Sequence, residues 1–157
     1  MTIIGIDPGK NGAIAIWNNG LNKVIKCPST PKKMADIIKY QDCNVSKVFA
    51  YIEKVWAFPT DARSSAFKFG ANYGMWLGIL GALNIETQLV APIVWQKHFN
   101  KNLPKEKPLR KNALHKIAMS YTEKKIYKYS ADAILIAVYG FIQQKERQIK
   151  DEEKNKN

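Results

Sequence analysis

Five short apolar runs, at 2–8, 12–17, 21–27, 47–53 and 86–91, constrain this chain more than any other feature. Each is too short for a typical helix and is bounded by turn residues, so each reads as a strand. Pro8-Gly9 ends the first, and Asn18-Asn19-Gly20 joins the second and third as a hairpin turn, with Asn-Gly supplying positive φ. The first three strands therefore make an antiparallel meander. A helix at about 31–41 follows, with Thr30 as N-cap and Pro31 in the first helical position. A second helix, at about 64–83, carries the stripe Trp76, Ile79, Leu80, Leu83, and Asp61-Ala62-Arg63-Ser64-Ser65 offers several caps for it. Strands reached through crossover helices add in parallel, so strands four and five should extend the meander in that sense. Further helices are expected at 92–99, 109–121 and 130–147, with a Lys- and Pro-rich loop at 100–108. The architecture expected is α/β, a mixed five-stranded sheet flanked by helices. At 157 residues the chain fits one domain, taken as 1–149, with a charged, disordered tail at 150–157.

Charge narrows the partner. The formal net charge is +12, and residues 97–128 hold ten Lys or Arg against Glu106 and Glu123, a net of +8 in one fifth of the chain. The plain reading is a solvated basic face. Lysines packed this densely repel one another unless a polyanion bridges them, and nucleic acid is the expected polyanion. No apolar run is long enough to span a bilayer, and the opening Met1-Thr2-Ile3-Ile4-Gly5-Ile6-Asp7 lacks a charged lead and a cleavage site. The expectation is a cytoplasmic protein with no membrane partner. Cys27 and Cys43 are too few and too isolated for a disulfide framework or a zinc site and read as reduced thiols.

Three acids stand where apolar elements end. Asp7 and Glu53 each close a buried strand, and Asp132 lies in the first turn of the last helix among Ala131, Ala133, Ile134 and Leu135. Each has an ordinary explanation: a turn at Asp7-Pro8-Gly9, a pairing of Glu53 with Lys54, a dipole-complementing charge at Asp132. An acid in an apolar stretch is nonetheless costly unless it is paired or bound to a metal. If strands one and four are neighbours, Asp7 and Glu53 meet at one sheet end, and the helix bearing Asp132 can cover that end. Clustered carboxylates favour a hard cation, Mg²⁺, with Mn²⁺ able to substitute. Two such ions roughly 4 Å apart can clamp a phosphodiester.

Ile4-Gly5-Ile6-Asp7-Pro8-Gly9, then Ile52-Glu53-Lys54-Val55, then Ser130 to Ala137 (SADAILIA), in that order and spacing, resemble the RuvC-type Holliday junction resolvases. The run Ile52 to Pro59, with Ser64 to Gly70 and Trp95-Gln96-Lys97, resembles phage-borne members most. The resemblance covers residues 2 to about 142. It implies the RNase H-like fold, a homodimer with one active site per subunit, and metal-dependent hydrolysis of branched DNA, above all four-way junctions, by paired nicks. It makes Asp7, Glu53 and Asp132 the catalytic and metal-binding acids. It makes Trp56 an aromatic that stacks on unpaired bases, the ordinary reading being a core or interface tryptophan. It makes the basic stretch, with Lys97, Lys105, Lys107, Arg110, Lys111 and Lys116, a DNA contact. The aromatic helix at 64–83, with Phe67, Phe69, Tyr73 and Trp76, is either dimer interface or core. One position departs from the family: the usual fourth ligand, three residues before the last Asp, is Tyr129.

The alternatives are a junction-binding protein that cuts weakly or not at all because of Tyr129, and an RNase H-fold nuclease acting on RNA–DNA hybrids. The Gly5–Gly9 motif also begins sugar kinases and actin-like ATPases. That fold needs two such domains and a second phosphate-binding Gly motif, which this sequence lacks.

Overall fold

Strand β1 (Thr2–Ile6) is buried along its whole length, as an unbroken apolar run flanked by strands on both sides should be. β2 (Ala13–Trp17) and β3 (Leu21–Lys26) follow it antiparallel, joined through Asn19 at φ 54°. β4 (Val48–Glu53) pairs parallel to the other side of β1, and β5 (Glu86–Val90) pairs parallel to β4. The sheet order is β3-β2-β1-β4-β5. The computed structural model describes residues 1–9, 11–39, 48–56 and 62–155. Cys43, Asp61, the run 57–59 and the expected ends of the first helix and fourth strand at 40–41 and 47 lie outside the described residues.

Side-chain alternation splits the sheet into two faces. Ile4, Ile6, Ile14, Val48, Ala50 and Ile52 meet α1 (Pro31–Lys39) and α2 (Arg63–Ala82) on one face. Ile3, Ala13, Ala15, Tyr51 and Val90 meet α3 (Pro92–Phe99), α4 (Lys107–Met119) and α5 (Ala131–Lys154) on the other. Thr30 caps α1 as its sequence position suggests: Oγ1 accepts from the Lys33 amide at 3.4 Å, and its carbonyl accepts from Met34 at 3.1 Å. α2 begins after Ala62, whose side chain makes no cap.

Helix α5 lies across β1 because Gly5 lets it. A Cβ on Gly5 would stand 2.3 Å from the Ala133 carbonyl oxygen and 2.4 Å from the Ala137 nitrogen. Gly5 and the alanines of the last motif thus serve one close helix–strand approach. The helix also runs further than expected. The tail expected to be disordered from 150 is helical through Lys154. Arg147 ties the helix to β5 through Glu86 (3.6 Å) and Gln88 (3.1 Å). Among the described residues no helix is long and apolar enough to cross a membrane.

Candidate active site

The ladder places two of the acids side by side. Ile6 pairs with Ile52, and Asp7 and Glu53 each come one residue later on adjacent parallel strands. Ile6 and Ile52 face the α1–α2 layer, so Asp7 and Glu53 point to the opposite face, where α5 lies. Asp132, in the first turn of α5, completes the group over the same sheet end. All three line one cavity of about 490 Å³, with Trp56, Phe69, Gln96, Lys107, Arg110, Lys111 and Leu114 among its walls.

Local structure holds Asp7 in place. Its amide continues the ladder to Ala13 O at 3.0 Å, and its Oδ1 accepts from the Gly9 amide at 3.0 Å. Gly12 passes so close behind it that a Cβ there would lie 2.1 Å from the Asp7 carbonyl oxygen. Asn72 of α2 donates to the Pro8 carbonyl, which fastens this loop to the helix layer on the far face. Glu53 has a partner of its own: the fully buried Trp95 of α3 donates from Nε1 to Glu53 Oε1 at 3.1 Å.

Burial raises all three acids, and the charge of neighbouring acids adds to it for Glu53 and Asp132. Burial raises Asp7, against the opposing pull of the Gly9 amide and Lys111. Glu53 is pushed up to about 8, first by burial and then by the charges of Asp7 and Asp132, against Trp95 and Lys111. Asp132 is pushed up to about 6 by burial and by Asp7, against Lys111 and Arg110. The charge that relieves them comes from α4. Lys107, Arg110, Lys111 and Leu114 recur at i, i+3, i+4 and i+7, so one helical face is turned to the cavity.

Of the DNA-contact residues expected from sequence, Trp56, Lys107, Arg110 and Lys111 line this cavity, and Lys97, Lys105 and Lys116 do not. Lys97 and Lys116 are exposed elsewhere on α3 and α4. Trp56 is 48% exposed, neither a core nor a fully free side chain. Tyr129 does not line the cavity. It sits in a 3-10 turn (Lys128–Ser130), packs partly buried against the core and stacks on Tyr127. Trp76, one of the four interface candidates, is wholly core, and Phe69 lines the cavity instead. Asn72 had no sequence signal as a site residue, and Trp95 entered only within the run Trp95-Gln96-Lys97, with no role of its own: its donor role depends on a partner 42 positions away.

Among the described residues no three His, Cys, Asp or Glu side chains form a ready-made metal cage. The donor set nonetheless fits a divalent cation: three carboxylates share one cavity, and Glu53 and Asp132 are both raised partly by the charge of Asp7.

A mixed five-stranded sheet with helices on both faces is the RNase H-like fold, of the type seen in RuvC. No family model and no curated protein matches the chain. Among solved structures it is similar to Thermus thermophilus RuvC in complex with a Holliday junction substrate, with a TM-score of 0.64 and 15% identity over 87% of this chain and 90% of that one. A second Thermus thermophilus RuvC structure matches at a TM-score of 0.59 and 15% identity, over 87% and 91%.

Proposed function

We propose that this protein is a structure-selective, metal-dependent endonuclease that nicks four-way and other branched DNA junctions. The observation that carries the reading is the convergence of Asp7, Glu53 and Asp132 in one cavity walled by Lys107, Arg110 and Lys111. Its support is a fold shared with a resolvase solved on a junction. Asp7, Glu53 and Asp132 would hold a divalent ion, Mg²⁺ or Mn²⁺, which would supply Lewis-acid chemistry for phosphodiester hydrolysis.

The chain's own groups divide the remaining work. Arg110 and Lys111 hold the scissile phosphate, the guanidinium through paired donors and the ammonium as a point charge. Trp95 fixes the rotamer of Glu53. Trp56 stands at the mouth beside Lys54 and Val55 and stacks on a base opened at the crossover. Water oxygen bonds to phosphorus, the bond from phosphorus to the 3′ oxygen breaks, that oxygen takes up a proton lost by the water, and a 3′-hydroxyl and 5′-phosphate remain, ends that a ligase rejoins.

One cavity cuts one strand, so paired nicks call for a homodimer. The outer face of α2 suits that role. Phe67 is 78% exposed there, Gly70, Gly74 and Gly78 leave open space along it, and residues 69–85 carry no charge. The phage-borne affinity rests on the run from Ile52 to Pro59 and on Ser64 to Gly70.

The second reading is a junction-binding protein with little cleavage. The placement of Tyr129 away from the cavity favours it, because no fourth anionic ligand stands at that position. Incubation of the full chain with a synthetic four-way junction and with linear duplex, with added Mg²⁺, tests both. Paired nicks on the junction alone support the endonuclease. Junction binding without nicks supports the second reading. Equal cutting of linear duplex, or no DNA binding, removes both.

A further inference from the structure

Residues 121–130 leave α4 and return to α5 beside the open edge of the sheet. The segment is pinned. Lys124 Nζ donates to the carbonyls of Leu21 (3.2 Å) and Asn22 (2.9 Å) at the start of β3. His115 Nε2 lies 3.3 Å from the Ile126 carbonyl. The Ser130 hydroxyl and amide both donate to the Tyr127 carbonyl, at 2.6 and 3.0 Å. Tyr127 nevertheless turns its ring outward and is 63% exposed. That ring lies flat on Tyr129, with centroids 5.5 Å apart and planes 10° apart. Tyr129 is itself partly buried against the core, so it backs Tyr127 as a wall. An exposed ring held flat has already lost the freedom that stacking on a ligand would otherwise cost.

Exposed lysines share its segment and its side of the sheet. Lys125 and Lys128 are exposed on the same segment. Lys26 pairs with Ala13 across the β2–β3 ladder, and Ala13 packs in the core under α5. Paired residues project on one side, so Lys26 leaves the sheet on the face that carries the 3-10 turn. Among the described residues none of these three lysines makes an ion pair. The turn leads into α5, and Tyr129 stands three residues before Asp132.

We propose that Tyr127, backed by Tyr129 and flanked by Lys26, Lys125 and Lys128, is a second DNA contact that stacks an unpaired base of a strand running out of the carboxylate cavity. The inference rests on reading that cavity as a DNA site. Every base offers a π face, so the platform is tolerant of sequence, and the lysines neutralise phosphates on either side of the stacked base. A closed duplex presents no base face to it.

The test is binding of the full chain to a labelled oligothymidylate and to a blunt duplex of equal length, without divalent ions so that nothing is cut. Tyr127→Ala is expected to bind the oligothymidylate about tenfold more weakly, while duplex affinity moves by less than about twofold. Tyr127→Phe is expected to match the wild type, and both variants to keep its melting temperature. Equal losses on both DNAs, no loss, an equal loss in Tyr127→Phe, or a lowered melting temperature with unchanged affinity would each overturn the platform. A wild type that binds junctions but not oligothymidylate overturns the platform and leaves the proposed function standing. A wild type that binds no DNA overturns both.

Discussion

The indole Nε1 of Trp95 donates to Glu53 Oε1 at 3.1 Å, from a side chain with no exposed surface. A buried indole N–H needs an acceptor, and a buried carboxylate needs a donor. Each satisfies the other, and the bond fixes which way the acid at the end of β4 points. Trp95→Phe keeps most of the packing and removes the donor. Hydrogen bonds to charged groups contribute roughly 1.5–3 kcal/mol, so kcat should fall about tenfold and the Mg²⁺ concentration for half-maximal cleavage should rise. A magnesium titration of junction cleavage reads both. Unchanged values would reduce Trp95 to a packing residue.

Asp7→Asn keeps an oxygen for the Gly9 amide and removes one negative charge from the cavity. Cleavage should drop by at least roughly three orders of magnitude. Junction binding should hold or improve, because less negative charge faces the phosphates. Gel-shift and cleavage assays on one preparation separate the two effects, and loss of binding by a normally folded variant counts against the site.

Affinity for junctions should fall steeply with salt, by about a hundredfold between roughly 50 and 200 mM, if about four phosphates are neutralised. Lys111→Gln and Arg110→Gln should each flatten the slope by about one unit, because both residues line the cavity. Lys116→Gln, on another face of α4, should change it less. Identical slopes for all three would remove the α4 face from the DNA contact.

Without divalent ions, stability should decline as pH rises. Glu53 at about 8 and Asp132 at about 6 both lie above their unfolded values, so the folded state holds protons that the unfolded chain releases. Their relative stabilisation is complete below about pH 4 and is lost as pH climbs through 6 towards 8. The melting temperature of the metal-free protein should fall by about 5 °C between pH 5 and pH 8, after allowance for solvent screening. Added Mg²⁺ should recover more of it at pH 8 than at pH 5. Melts that are flat with pH would contradict the buried, mutually repelling cluster.

Tyr129→Asp should not lower the Mg²⁺ requirement. The side chain lies on Tyr127 and against the core, not in the cavity. A carboxylate there loses a stacked, partly buried ring and gains no cation, at a cost of about 1–3 kcal/mol or several degrees in melting temperature. A lowered metal requirement with an unchanged melt would mean that this position turns into the cavity after all.

Periodicity along the chain carried much of the fold. The five apolar runs became five strands in the expected senses, and Thr30 caps the helix it precedes. Asp7 and Glu53 were legible because each directly follows the last pair of the β1–β4 ladder, Ile6 with Ile52, and adjacent parallel strands bring such positions together whatever else surrounds them. Local chemistry was enough there, since strand alternation and register are short-range properties. Other features depended on partners distant in sequence. Trp95 is one apolar position among many until α3 lays it against Glu53. Trp76 and Phe69 are both aromatics of α2, yet packing buries one and turns the other to the cavity. Lys107, Arg110 and Lys111 share a run of charge with Lys97 and Lys116, and only the docking of α4 selects the three that face the acids. The direction of Tyr129 was set by a ring two residues away and by the core beneath it. In each case the deciding quantity is which side of an element meets another, and burial energy summed over the whole core fixes that.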